Sequence, residues 1–188
     1  MRMANVLLTL IALAVSALAA DYSLDLKPEA TKVHFSVDST LHTVHGTFAL
    51  KRGRIDFNSE TGKATGQVVV DVASGNSDSD ARDSRMHSVV LESKKFPDAV
   101  FAPDHIDGAV SLTGSSTVKI HGAFTIHGVP HDVVMDALTS VTGDEIHATL
   151  TFDIPYVAWG MKDPGNFMLK VNKTVKMTIE TAAPLQKH

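Results

Sequence analysis

Three histidines fall within eleven residues in the stretch HGAFTIHGVPHD, residues 121–132: His121, His127 and His131. Imidazoles at that density raise the question of a transition-metal site. On a strand, His121 and His127 share a face but stand ~20 Å apart at ~3.3 Å per residue. Zn–N bonds are only ~2.0–2.1 Å long, so these two cannot hold one ion. His127 and His131 differ. With GVP (128–130) as a three-residue hairpin loop, they face each other across two strands, where Cβ atoms lie ~4.5–5.5 Å apart. Two ligands fall short of a site and spacing names no third. His42 and His45, three apart, would point to opposite faces of a strand. The stretch reads as a hairpin with histidines on its polar face, and His127 and His131 are the weak metal candidates.

A second cluster is Arg82, Asp83, Arg85 and His87. A guanidinium fork matches phosphate oxygens two at a time, which makes Arg82 and Arg85 candidates for a head-group clamp. The plainer reading has Asp83 complementing a helix N-terminus while the arginines pair with nearby carboxylates. Both readings stay open at the level of sequence. Catalysis finds little support. The GSS at 114–116 lacks a nucleophile-elbow pattern, and no Ser-His-Asp order follows from spacing. The chain has no cysteine, which excludes thiol chemistry and cysteine-based zinc sites. It reads as a binding protein and not an enzyme, with no cofactor of its own.

The elements that must position these groups are mostly strands. KVHFSVD (32–38), TVKIHGAFTIH (117–127), IHATLTFDI (146–154) and TVKMTIE (174–180) alternate apolar and polar residues, and HGTFALKRGRIDF (45–57) does so more loosely. Alternation of period two marks half-buried antiparallel strands. Turn clusters such as NSETGKATG (58–66) and MKDPGN (161–166) separate them, which favours a sandwich or barrel. One segment departs from the pattern. In 77–98, Met86, Val90 and Leu91 approach helical spacing, Ser79 or Asp80 can cap, and Pro97 follows. This predicts one short helix near residues 80–93, with Met86, Val90 and Leu91 packing it onto the barrel.

The first residues, MRMANVLLTLIALAVSALAA, show an early cation, an apolar run from Val6 to Leu18 and small residues at Ala17 and Ala19. That is the layout of a secretory signal peptide spanning 1–19, with cleavage expected after Ala19. The run is roughly 13 residues against the ~20 that a bilayer needs, so no transmembrane segment is expected after cleavage. Loss of Arg2 moves the formal charge from −4 to −5, a balance with no footprint for nucleic acid. The expected product is one domain, residues 20–188, in the periplasm or secreted. Without disulfides it must be held by its core alone.

The pieces VHFSVDSTLHTVHGTF (33–48), ARDSRMHSVVLESKKFPDAVF (81–101) and VKIHGAFTIHGVPHDV (118–133), in order over about Tyr22 to Ala182, resemble the YceI-like polyisoprenoid-binding proteins. Arg82-Asp83, Phe96-Pro97 followed by Phe101, and the Gly122…Gly128-Val129 hairpin fall where that family's motifs have them. The resemblance implies an all-β, eight-stranded antiparallel lipocalin-like barrel with a helix near one end. It also implies an apolar interior holding an isoprenoid chain, of quinone or polyprenyl phosphate type. Two departures stand out. Arg85 replaces a usual His, and FDIPYVAWGMKDPGNF (152–167), with the lone Trp159, replaces an Arg-x-Asp-Phe-Gly-like stretch. If that segment lies at the barrel mouth, Trp159 joins the head-group candidates.

The alternating strands nominate an inward set: Phe35, Val37, Val118, Ile120, Phe124, Ile126, Phe152 and Ile154. Eight strands are about the size at which a barrel interior is either filled by side chains or holds one small ligand. A carrier or sensor of an apolar lipid, a solid-cored interaction module and a histidine-based metalloenzyme therefore make different demands on the structure. A homodimer is compatible with each.

Overall fold

The computed structural model describes residues 21–188, so the expected signal peptide and its cleavage site lie outside the described residues. The strands are β1 (Asp21–Leu26), β2 (Thr31–Asp38), β3 (Thr43–Asn58), β4 (Ala64–Asn76), β5 (Asp98–Asp107), β6 (Gly114–Ile126), β7 (Val129–Thr142), β8 (Glu145–Ile154) and β9 (Val175–Lys187). Every pairing is antiparallel. From β2 the order runs through β9, β8, β7, β6, β5 and β4 to β3, which returns to β2 and closes the sheet on itself.

Nine strands fill eight positions because β1 and β2 share one. β1 pairs with β3 from Asp21↔Asn58 to Leu26↔Gly53, and β2 continues along the same neighbour from Val33↔Phe48 to Asp38↔Thr43, offset by two residues from the β1 register. β9 flanks both pieces, through Tyr22↔Lys187 and Thr31↔Thr181. A single 3₁₀ turn, Pro28–Ala30, separates them. Proline has no N–H to give a ladder, so a strand is readily interrupted there. The result is the closed eight-stranded antiparallel barrel that the sequence led us to expect.

The helix α1 (Asp80–Arg85) joins β4 to β5 and runs directly into one wider turn, Met86–Val90. It is shorter than expected and ends for a different reason. Glu92 sits at φ +45°, in the left-handed region, and turns the chain five residues before Pro97. Ser79 occupies the cap position without a side-chain cap bond.

The inward side chains form two clusters at different heights. Near one end Tyr22, Phe57, Ala64, Ile106, Val118 and Ala137 are all buried together, with Tyr22 and Phe57 stacked at 5.6 Å between ring centroids. That end is plugged. The larger cluster, which includes Phe35, Phe124, Phe152, Ile154 and Met177, lines the other half and leaves its middle empty.

Candidate lipid cavity and its mouth

The empty half is a cavity of about 510 Å³. Pockets for small apolar ligands typically run ~300–1,000 Å³. Its wall comes from the strand interiors, with Val33, Phe35 and Val37 on β2, Phe124 and Ile126 on β6, and Phe152 and Ile154 on β8. Each strand contributes alternate residues because successive side chains point to opposite faces of a pleated sheet. Six of the eight inward residues expected from sequence therefore lie on this wall.

Val118 and Ile120 do not, and the expectation for them is corrected. They do face inward, but near the plugged end. Val118 is buried with Tyr22 and Phe57, and Ile120 packs against both clusters. Alternation fixes which face a residue takes and carries no information on its height in the barrel. Met86, Val90 and Leu91 depart from expectation in the other direction. They pack the helical segment against the barrel as predicted, and they also line the cavity.

The mouth is built by three connections. The β2–β3 turn supplies Leu41 and His42, the helix supplies Ala81, Arg82 and Arg85, and the long β8–β9 connection supplies Tyr156, Met161, Leu169 and Val171. The first and third are stitched together. Ser39 bridges to Val171, the Thr40 N–H donates to the Lys170 carbonyl at 3.0 Å, and the Asn172 N–H donates to the Asp38 carbonyl at 2.7 Å. Arg85 Nε donates to the Pro164 carbonyl at 3.1 Å, which ties the helix to the same connection. Of these, His42 was weighed in the sequence only as a metal ligand, and Leu41, Tyr156, Met161, Leu169 and Val171 were not singled out. They sit in segments without period-two patterning, which read only as turns.

Arg82 holds the approach to the helix. Its Nε donates to the Ser77 hydroxyl at 2.8 Å. The Ser77 hydroxyl and N–H in turn donate to the Asp83 carboxylate, the latter at 3.0 Å. Desolvation pushes the Asp83 carboxyl up, but the two Ser77 bonds, helped by His87 and Arg82, outweigh it. The net pKa lies below the usual carboxylate value. The arginines bond Ser77 and the Pro164 carbonyl where carboxylate partners were expected. Arg82 and Asp83 brace a turn, while Arg82 and Arg85 also border the cavity mouth.

Tyr156 is buried on the cavity wall, and its hydroxyl has no hydrogen-bond partner among the described residues. Burial, with a contribution from the negative charge of Asp163, pushes its pKa up to about 12. Trp159, expected near a head group, lies elsewhere. Its ring stacks flat on His131, with centroids 4.0 Å apart and an interplanar angle of 4°, and it does not line the cavity.

The histidine hairpin is tighter than expected, and this overturns the shared-ion geometry. Ile126 pairs with Val129, so the loop is the two residues His127-Gly128, at φ +52° and +79°. Left-handed conformation at both positions is the turn that matches strand twist. His127 is therefore in the turn, where its Nε2 meets Glu92 Oε2 at 2.7 Å and its ring lies 4.3 Å from Phe96. His131 is opposite Phe124. Among the described residues no group of three His, Asp or Glu is placed to hold an ion. His121 is on the outer wall, where it shares the Asp107 carboxylate with His105 at 2.8 and 2.9 Å.

Residues 24–183 match the model of the YceI-like domain. The chain belongs to the YceI-like family. A UPF0312 protein of Pseudomonas putida is 28% identical over 161 residues, spanning 79% of this chain and 80% of the relative. The YceI-like barrel is also seen in solved structures. Burkholderia cenocepacia BcnA superposes with a TM-score of 0.69 at 17% identity, over 84% of this chain and 99% of BcnA. A polyisoprenoid-binding domain from Saccharophagus degradans gives 0.65 at 18% identity, over 88% and 98%. The Campylobacter jejuni YceI protein gives 0.59 at 21%, over 70% and 79%. At these identities the likeness speaks for the fold.

Proposed function

We propose that this protein is an exported carrier or sensor that takes a long apolar isoprenoid-type chain, of quinone or polyprenyl phosphate type, into its barrel. The observation that carries the reading is the 510 Å³ cavity, walled by aliphatic and aromatic side chains and bordered at its mouth by Arg82 and Arg85. An apolar chain moving from water into such a space gains roughly 25 cal/mol per Å² of surface removed from water. A polar head left at the mouth meets the two guanidinium groups. The barrel holds its ligand without transforming it. The polyisoprenoid binding of the S. degradans domain supports the ligand class.

The test is mass spectrometry of an organic extract of the protein purified from its own host. An isoprenoid-sized species in stoichiometric amount is the expected result. An extract empty of lipid, from a protein that also takes up no fluorescent prenyl probe, refutes the reading. Export is tested separately by N-terminal sequencing, which should find a start at or near Ala20 and not Met1.

A further inference from the structure

We infer that the mouth of the barrel docks on an anionic lipid bilayer through the tip of the β8–β9 connection and the β2–β3 turn. This rests on the carrier reading and deepens it by naming the surface with which the ligand is exchanged. Three large apolar side chains are exposed here. Phe167 is 100% exposed, Met168 86% and Leu41 77%. Leu41 also lines the cavity, and Leu169, next to Met168, does so too. The apolar lining of the cavity therefore reaches the rim at Leu41 and Leu169.

The tip is held in shape. The N–H groups of Met168 and Leu169 donate to Asn166 Oδ1 at 2.9 and 2.8 Å, and the Asn166 N–H donates to the Leu169 carbonyl at 2.8 Å. These bonds present Phe167 and Met168 to the outside instead of folding them inward. Other exposed apolar residues, such as Leu138 and Val134, lie on β7 in the barrel wall and do not line the cavity. Single apolar residues on a surface need no explanation, whereas a cluster around an opening does.

Charge selects the partner. From Trp159 to Thr174 the chain carries Lys162, Lys170 and Lys173 against one carboxylate, Asp163, in a protein of formal charge −4. All three lysines are exposed, and Arg85 is bonded to the same connection. Exposed aromatic and thioether side chains flanked in the chain by exposed lysines suit an interface of acyl chains beneath anionic head groups. Docked this way, an isoprenoid chain passes between bilayer and cavity without crossing water.

The experiment is flotation of the full mature chain with vesicles of phosphatidylglycerol and phosphatidylethanolamine, against vesicles of phosphatidylcholine alone. Wild type should float with the anionic vesicles, less so as salt rises. Phe167→Ser/Met168→Ser should weaken binding at least tenfold. Each of Lys162→Ala, Lys170→Ala and Lys173→Ala should weaken it by up to about fivefold, the contribution of one cation near such a surface. Thermal melts confirm that the variants are folded, and uptake of a soluble dansyl-farnesyl probe should be unchanged. Absence of wild-type binding to either vesicle, or equal binding by the double serine variant, overturns the proposal. So does a wild-type dimer that the double variant dissociates without any vesicle binding. Vesicle binding lost with Phe167 and Met168, but with no probe uptake by wild type, keeps the docking surface and removes the carrier reading.

Discussion

Tryptophan at Ile154 and tryptophan at Ile120 should have opposite consequences. Ile154 is buried on the cavity wall, whereas Ile120 lies near the plugged end, packed against both clusters and off that wall. The exchange adds six heavy atoms, as many as benzene, which fits a cavity of ~150 Å³. That is roughly a third of the 510 Å³ available at Ile154. At ~24 cal/mol per Å³, filling it contributes at most about 3.6 kcal/mol, before rotamer ordering is subtracted. Ile154→Trp should thus melt at or slightly above wild type in the absence of lipid. It should also lose uptake of a prenyl probe, because the indole occupies ligand space. Overpacking at Ile120 should cost about 1–3 kcal/mol. At about 2–4 °C per kcal/mol for a chain of this size, Tm falls by several degrees, while probe uptake persists. Thermal melts by circular dichroism and probe titrations read both quantities. If Ile154→Trp is as destabilised as Ile120→Trp, or still takes up probe, the barrel is not hollow where the structure places the cavity.

Three further outcomes are expected. Asp83→Asn should cost about 1.5–3 kcal/mol in urea unfolding, since it removes a charged acceptor of two Ser77 bonds. Because the Asp83 pKa is depressed in the folded state, its contribution is full above the ordinary carboxylate value and fades as pH falls through the lowered one, so variant and wild type should converge in acid. Tyr156→Phe should be neutral or stabilise by about 1 kcal/mol, because it removes a buried hydroxyl without a partner. In wild type one tyrosine should ionise only near pH 12 in an ultraviolet titration. With its pKa raised from 10, the buried group leaves folding stability independent of pH below 10 and makes it fall between 10 and about 12, a fall that Tyr156→Phe should abolish. Chelation should leave Tm unmoved, since His127 and His131 have separate partners in Glu92 and Trp159. A metal bound at 100 Kd would add ~2.7 kcal/mol, and its loss in EDTA would be plain in a melt.

The strands were legible because residues such as Phe124 and Ile126 repeat a two-residue period that only a pleated sheet satisfies. The resemblance over residues 33–48, 81–101 and 118–133 then supplied closure and strand number, which periodicity cannot. What escaped was everything set by height or by non-repetitive backbone. Val118 and Phe124 look equivalent in sequence, yet one meets Tyr22 and Phe57 in a plug and the other faces empty space. Trp159 joined the head-group candidates on the condition that segment 152–167 lies at the barrel mouth; the segment does line it through Tyr156, Met161 and Pro164, but Trp159 itself stacks on His131. The rim residues Leu41 and Leu169 meet through Ser39–Val171 and Thr40–Lys170 contacts between segments about 130 positions apart. No local pattern announces such contacts. The histidine turn is one residue shorter than expected and starts one residue earlier, so His131 faces Phe124 and not His127, a register change of three. Any odd change of register exchanges the faces of the side chains beyond it.

The shared position of β1 and β2 also sets an order of assembly. Its partner on one side is β3, close in the chain, but on the other it is β9, with Ser23 opposite Gln186 and Thr31 opposite Thr181. The His188 N–H donates to the Asp21 carbonyl at 2.9 Å, so the two ends of the described chain meet. Until β9 is in place, β2 and β8 are both raw edges, and unpaired edges template association with other chains. Contacts of such long sequence separation form late and slowly. A truncation before Val175 should thus yield an aggregating sheet, while a circular permutant that joins His188 to Asp21 and opens at an exposed turn such as 143–144 should fold, because it turns the last seam to close into the first.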